Sequence, residues 1–363
     1  MRQQACAKGG RSTAARFIVA GAIIGLILAS AEAGYGQLTE GPLSPAAVVD
    51  DSSFGGAGWF PASNAIASDD LYALAAPGMS PTHYLKATTF GFAIPAPAQI
   101  QGIEVFVERH AALGTIFDSR ARIVKGGVIG TAERALGGNW PSVTDATVTY
   151  GNPSDLWGET WTPADINNNG FGFALSVDDN VDTAAVDHIS ITVHYTLCAA
   201  APAGGCRTAL KSVLVLKDNA TNAKDKLVWK WIKGQNTSTA EFGDPVMGTA
   251  NIALCVYDNG VLEGSTLVAP GTGWSAISTK GWKFLDKTGA QDGVQKIILK
   301  ASTNGKSKAL VKGKGINLPD ITPPMTGPVT VQLVNSQSGV CWQSLFSFPF
   351  LKNVAGSFKD KTP

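Results

Sequence analysis

Four histidines, His83, His110, His188 and His194, are available as bases in this 363-residue chain. A serine nucleophile would need one of them beside it, a carboxylate to orient that histidine, and a sharp turn such as G-x-S-x-G. No such turn occurs. His188 and His194 share one face of an alternating segment, but six residues at about 3.3 Å each put them roughly 20 Å apart. That is too far to share an ion, and solvated strand-face histidines are the expectation. Asp165-Ile-Asn-Asn-Asn-Gly170 opens like a D-x-N-x-N-G calcium loop. The twelfth position of such a loop should be a bidentate glutamate; here it is Ser176, and Phe171, Phe173 and Leu175 begin a strand instead. An Asn/Gly turn is the better reading. Asp178, Asp179 and Asp182 form a second, weaker candidate set for structural calcium. Paired carboxylates for glycoside cleavage must face one cleft, and no spacing here places two acids so. No catalytic residue, resident metal or other cofactor is expected.

Nine tryptophans raise the question of sugar binding, because flat aromatic faces can stack on pyranose rings. Trp59, Trp140, Trp157 and Trp161 sit near Gly, Pro or Asn in expected loops, where binding residues concentrate. They are the candidate glycan-binding residues. Burial as loop anchors is the better reading for all four. Trp229 and Trp231 alternate within one expected strand, so core packing is their default.

The cysteines bear on compartment. A basic leader (Arg2, Lys8, Arg11, Arg16), an apolar run from Phe17 to about Ala31, and the small-x-small triplet Ala31-Glu32-Ala33 describe a secretory signal peptide over residues 1–33. The run is about 15 residues, short of the roughly 20 a spanning helix needs. Cleavage after Ala33 removes Cys6 and leaves Cys198, Cys206, Cys255 and Cys341, an even set in an oxidising compartment. No C-x-x-C pair or nearby histidine suggests a metal. Two disulfides are expected. Three connectivities are open, and Cys198–Cys206 with Cys255–Cys341 is favoured. A secreted, cell-surface or periplasmic protein with no membrane attachment after cleavage follows.

The elements that would position these residues are strands. Ile103, Val105 and Val107 alternate with Glu104 and Glu108; Phe171, Phe173, Leu175 and Val177 alternate with small residues; Ile189, Ile191, Val193 and Tyr195 alternate with His188, Ser190, Thr192 and His194. A period of two marks half-buried strands. Seven further segments after residue 206 read similarly, among them Lys226–Ile232, Val294–Leu299 and Lys308–Val311. Leu214–Lys233 and Phe284–Lys300 look alike, each a strand, a polar turn and a Lys-dotted strand. A single short helix is expected at Pro163–Asn167, capped by Thr162. The fold class is therefore all-β: two β-sandwich, jelly-roll-like domains in tandem. Residues 34–45 read as an N-terminal linker, 46–197 as the first domain, 198–206 as an Ala/Pro/Gly linker and 207–363 as the second domain.

Charge divides at the same place. Residues 34–206 carry 6 Lys/Arg against 17 Asp/Glu, whereas 207–363 carry 19 against 10, so the whole-chain net of +1 hides two halves of opposite sign. Eighteen of the second half's cations are lysine, a hydrated point charge suited to diffuse attraction. Solubility and edge protection are the ordinary roles of such lysines. The alternatives are attraction to a surface glycan or other anionic cell-envelope polymer, and self-association with the acidic half. Nucleic acid is not expected, since no aromatic-plus-arginine groove for bases is apparent.

Tyr84–Pro95, Ile100–Val105, Asp155–Asn167 and Val186–Tyr195 together resemble a β-sandwich module of phage-tail and other virion-like proteins and of exported bacterial surface proteins. That resemblance spans roughly 46–197 and implies an adhesive or assembly role. The segments Leu216–Asp218, Trp229–Gly234, Phe242–Pro245, Lys312–Gly315 and Gly339–Trp342 resemble an uncharacterised Lys-rich module of exported proteobacterial proteins, which implies only secretion and a bacterial source. The expected function is a non-catalytic surface, adhesive or assembly protein. A carbohydrate-binding protein using the loop tryptophans is the first alternative, and a secreted hydrolase the second.

Overall fold

Inward-facing Ile103, Val105 and Val107 are fully buried on the long strand Gln99–Leu113, as their spacing requires. The computed structural model describes residues 37–362 apart from 77, 79, 143, 180, 181 and 249, and gives Leu113 and Asp179 by backbone alone. The expected leader and its expected cleavage site lie outside these residues. In one sheet of the first half, Gln99–Leu113 lies between Thr183–Thr196 and Ala146–Asn152, and Leu38–Leu43 and Ala73–Ala75 add to Thr183–Thr196. The facing sheet runs Ala47–Asp51, Tyr84–Thr88, Gly172–Asp179, Ile116–Lys125, Val128–Ile129. Leaving aside Ala47–Asp51 and Ala73–Ala75, eight strands in chain order form sheets 1-8-3-6 and 2-7-4-5. That is jelly-roll order.

The expected linker over 34–45 is corrected here, because Leu38–Leu43 is an edge strand. Gly41-Pro42 interrupts its alternation and its register shifts between Glu40 and Leu43, which hid the strand. The short helix forms at Pro163–Ile166 with Thr162 and Asp165 in a reciprocal capping box.

The second half pairs a four-stranded sheet with an eight-stranded one. The small sheet runs Val261–Val268, Ile252–Asp258, Val329–Asn335, Trp342–Phe346. The large sheet runs Trp274–Ala276, Gly281–Leu285, Val294–Lys300, Ser307–Lys314, Lys226–Gly234, Ala209–Lys217, Ser357–Lys361, Lys352–Val354. Its hairpins lie side by side, so the jelly-roll order expected of both halves is found only in the first. Both look-alike segments are hairpins of this one sheet. Between the sheets, Leu214, Trp229, Trp231, Phe284, Leu299, Val331, Leu333 and Trp342 are fully buried. Trp229 Nε1 donates to Ser344 Oγ at 2.9 Å, and Trp231 folds over Gly234, where a Cβ would come within 1.8 Å of the ring. Tryptophan therefore fills this core, as its alternation implied.

The expected linker 198–206 is a strap instead. Cys198 bonds Cys255 and Cys206 bonds Cys341, which corrects the favoured pairing of Cys198–Cys206 with Cys255–Cys341. Between the bridges, Leu262 N donates to Ala200 O, and Ala203 exchanges two hydrogen bonds with the buried Gln332 side chain. Beyond Cys206, Arg207 exchanges backbone hydrogen bonds with Cys341 and Gln343. The strap lies on the outer face of the small sheet. Every residue of Ile252–Asp258 and Val329–Asn335 is buried as a result. Ala253, Cys255, Tyr257 and Val334 join one apolar cluster with Leu197, Cys198 and the first half's core. The two halves accordingly group as a single unit. The Ala/Pro/Gly composition that suggests flexibility instead permits close approach to a sheet face.

Candidate functional site

Inward tryptophans and leucines fix the phase of the large sheet, and that phase sends lysines outward. On Ala209–Lys217, buried Leu214 and Leu216 place Lys211, Val213, Val215 and Lys217 on the outer face. On Lys226–Gly234, Trp229 and Trp231 leave Lys226, Val228 and Lys230 there. Lys296 and Lys300 flank Ile298; Lys308, Lys312 and Lys314 accompany Leu310. Lys283, Lys352, Lys359 and Lys361 complete the face. Thirteen of the second half's eighteen lysines thus share one side of one sheet.

The register sets like against like. Lys217 stands opposite Lys226, which stands opposite Lys314; Lys296 opposes Lys312, Lys300 opposes Lys308, and Lys352 opposes Lys359. Directly opposed like charges destabilise a sheet. Asp360, the one acid in these eight strands, points to the inner face and is buried. Among the described residues none of these lysines forms an ion pair. Edge protection does not explain the pattern, because Lys226, Lys230, Lys312 and Lys314 lie on central strands paired on both sides. Plain solubility would intersperse both signs. Docking on the molecule's own acidic half is also ruled out by layering: the small sheet faces that half, and the lysine face lies on the far side of the large sheet.

The face carries an open depression. A groove of about 620 Å³ runs over Val213, Val215 and Val228, with Lys226, Lys230, Lys312, Lys314 and Lys359 around it. An aliphatic floor under a lysine rim can hold a negatively charged partner that also offers apolar surface.

The loop tryptophans take another role. Trp59, Trp140 and Trp157 are 3%, 4% and 0% exposed, so none presents a ring to a sugar. Each is a hydrogen-bonded anchor: Trp59 Nε1 to His83 O at 2.9 Å, Trp140 Nε1 to Asp118 Oδ1 at 2.8 Å, Trp157 Nε1 to Ile103 O at 3.0 Å. This corrects their assignment as glycan-stacking residues; chain-neighbouring Gly and Pro mark loops but not which loops fold inward. Trp161 is half-buried, donates to Leu156 O at 2.9 Å, packs edge-on to Phe171 and lies under Lys125. Trp161→Ala is expected to cost about 1–2 kcal/mol in denaturant unfolding and to leave binding to any immobilised glycan unchanged. A binding loss without a stability loss would restore it as a ligand contact.

Trp140 belongs to a buried ionic cluster that sequence reading missed. Arg109 follows Ile103, Val105 and Val107 in the inward phase, and Asp118 follows Ile116 on the facing sheet. The two pair in the core with 7% and 0% side-chain exposure. Asp118 also accepts from Leu136 N at 2.9 Å and Tyr150 Oη at 3.0 Å, and the Arg109 guanidinium contacts Tyr150 Oη and lies over Trp140. Burial pushes the Tyr150 hydroxyl well above its ordinary pKa, which keeps it neutral. Charged residues in the inward phase of two apolar runs were the available signal.

Three histidines pair with carboxylates: His83 Nδ1 with Asp50 at 2.8 Å, His110 Nδ1 with Asp145 at 2.6 Å, and His194 Nε2 with Glu104 at 2.7 Å. His188 Nε2 lies 2.9 Å from Ser44 Oγ, and burial lowers the His188 pKa. No hydrogen bond orients the second ring nitrogen of His188 among the described residues, so a triad is not assembled there. Asp165 caps the short helix, and Asn168 accepts from Gly170 N at 2.7 Å, the expected Asn/Gly turn. Among the described residues, the carboxylates that could converge on one point are Asp70, Asp145 and Asp187. Asp178 and Asp182 are not in that group, and the Asp179 side chain lies outside the described set. Burial raises the Asp187 pKa, and nearby Glu108, Asp145 and Asp69 raise it further. Asp145 is already engaged by Tyr72 and His110.

Comparisons with family models, with curated proteins and with solved structures find no match to this chain.

Proposed function

We propose that this is an exported, non-catalytic surface, adhesive or assembly protein that holds a negatively charged partner on the outer face of its large sheet. The carrying observation is the run of directly opposed lysine pairs on central strands with no acid on the same face. Folding alone gains nothing from that arrangement, whereas an anionic partner relieves the repulsion. Two disulfides suit an oxidising compartment, and among the described residues no helix is long and apolar enough to cross a membrane. The reading as a surface or assembly protein also rests on the resemblance of the first half.

Although the net charge is close to zero, the purified protein should be retained on a sulfonated matrix at about 0.01 M salt, where the Debye length is about 30 Å. It should be released towards 1 M, where that length is about 3 Å. Passage in the void volume at low salt would end the proposal. Hydrolysis of a polysaccharide or ester by the purified protein would end its non-catalytic part.

A further inference from the structure

We infer that the occupant of the lysine-rimmed groove is a single strand of a linear acidic polysaccharide, an inference that rests on the function proposed above. Shape is the first argument. A flat membrane surface would leave unfilled the open depression of about 620 Å³ that lies among the outward lysines and valines. A groove of that kind receives a chain.

The floor is the second argument. Val213, Val215 and Val228 lie side by side across the neighbouring strands Ala209–Lys217 and Lys226–Gly234, and Leu310 and Ile298 continue the aliphatic surface on the next two. Inorganic polyphosphate has no apolar surface to place there. Pyranose rings carry C–H faces that do, with their carboxylates or sulfates directed outward to the lysines. Nucleic acid would call for stacking aromatics, and the groove lining contains none.

Spacing is the third argument. Opposed lysines across neighbouring strands stand about 4.8 Å apart, and successive outward lysines along a strand about 6.8 Å apart. A regular array of single charges suits a polymer bearing one charge per sugar. Lysine's flexible stem and undirected charge suit it to register-tolerant binding along such a polymer, without the fixed fork of arginine.

The test is titration calorimetry with alginate, neutral dextran, inorganic polyphosphate and phosphatidylglycerol vesicles as probes. Alginate should bind and neutral dextran should not. Lys226→Gln/Lys312→Gln/Lys314→Gln should weaken alginate roughly 100-fold at low salt, at about fivefold per lysine. Its melting temperature should stay level or rise, because three opposed pairs are relieved, Lys217–Lys226, Lys226–Lys314 and Lys296–Lys312; a fall in both together would mark a structural role and overturn the inference. Val215→Thr and Val228→Thr should each weaken alginate about fourfold, the value of one apolar contact, while leaving its salt dependence unchanged. Vesicle or polyphosphate binding without alginate binding would overturn the polysaccharide inference and leave the anion-binding proposal standing. Silence with every anionic probe would overturn both.

Discussion

Replacing Cys206 and Cys341 by serine should lower the free energy of unfolding by about 5 kcal/mol, and replacing Cys198 and Cys255 by about 4 kcal/mol. The estimates follow from chain entropy: the bridges span 135 and 57 residues, and longer closed loops restrict the unfolded chain more. A domain's whole stability is commonly about 5–15 kcal/mol, so either change leaves a marginal fold. Guanidinium unfolding of the two double variants measures the losses, and peptide mapping without reductant identifies the pairs. Recovery of a Cys198–Cys206 peptide would refute the strap. That eight-residue loop would also contribute only about 2.5 kcal/mol on the same arithmetic.

Arg109→Met should cost about 3–5 kcal/mol, because it leaves the Asp118 carboxylate buried without its cation. Three neutral donors would remain on Asp118: Trp140 Nε1, Leu136 N and Tyr150 Oη. They hydrogen-bond the carboxylate but do not neutralise it. Asp118→Leu alone should be comparably harmful, stranding the guanidinium between Trp140 and Tyr150. The double variant Arg109→Met/Asp118→Leu should lose less than the two single losses added together, since neither charge is left buried alone. It should stay below the parent, because Trp140 Nε1, Leu136 N and Tyr150 Oη lose their shared acceptor. A double-mutant cycle by urea unfolding reads the coupling. Additive losses would show that the pair does not act as a unit.

Alternation of period two made most of this fold legible. The phases of Ile103, Val105 and Val107, and of Trp229 and Trp231, are those observed. So are the strands Val294–Lys300 and Ser307–Lys314, within a residue or three at their ends. Strands with few apolar residues escaped. Leu38–Leu43, Lys352–Val354 and Ser357–Lys361 gain their place from neighbours already in the sheet. Connectivity of the cysteines was beyond reach, because it depends on which sheet face residues 198–206 lie against.

The lysine face was half visible. Each strand's outward lysines could be read from its own alternation. Their opposition across strands depends on register, which turns and bulges set and a single strand does not encode. The loop tryptophans show a related limit: sequence marks a loop, but only packing tells whether a ring turns in, as those of Trp59, Trp140 and Trp157 do, or stays half-buried like that of Trp161. Trp140 is a case in point, since its partner Asp118 lies on the strand Ile116–Lys125 and not in its own loop.

The strap also has a mechanical consequence. Suppose a polymer held on the far sheet is pulled while the first half is restrained. At the junction between halves, tension then passes through two sulfur–sulfur links and a pinned peptide. The molecule should behave under traction as one stiff lever, and the grip on the polymer should give way before the joint does.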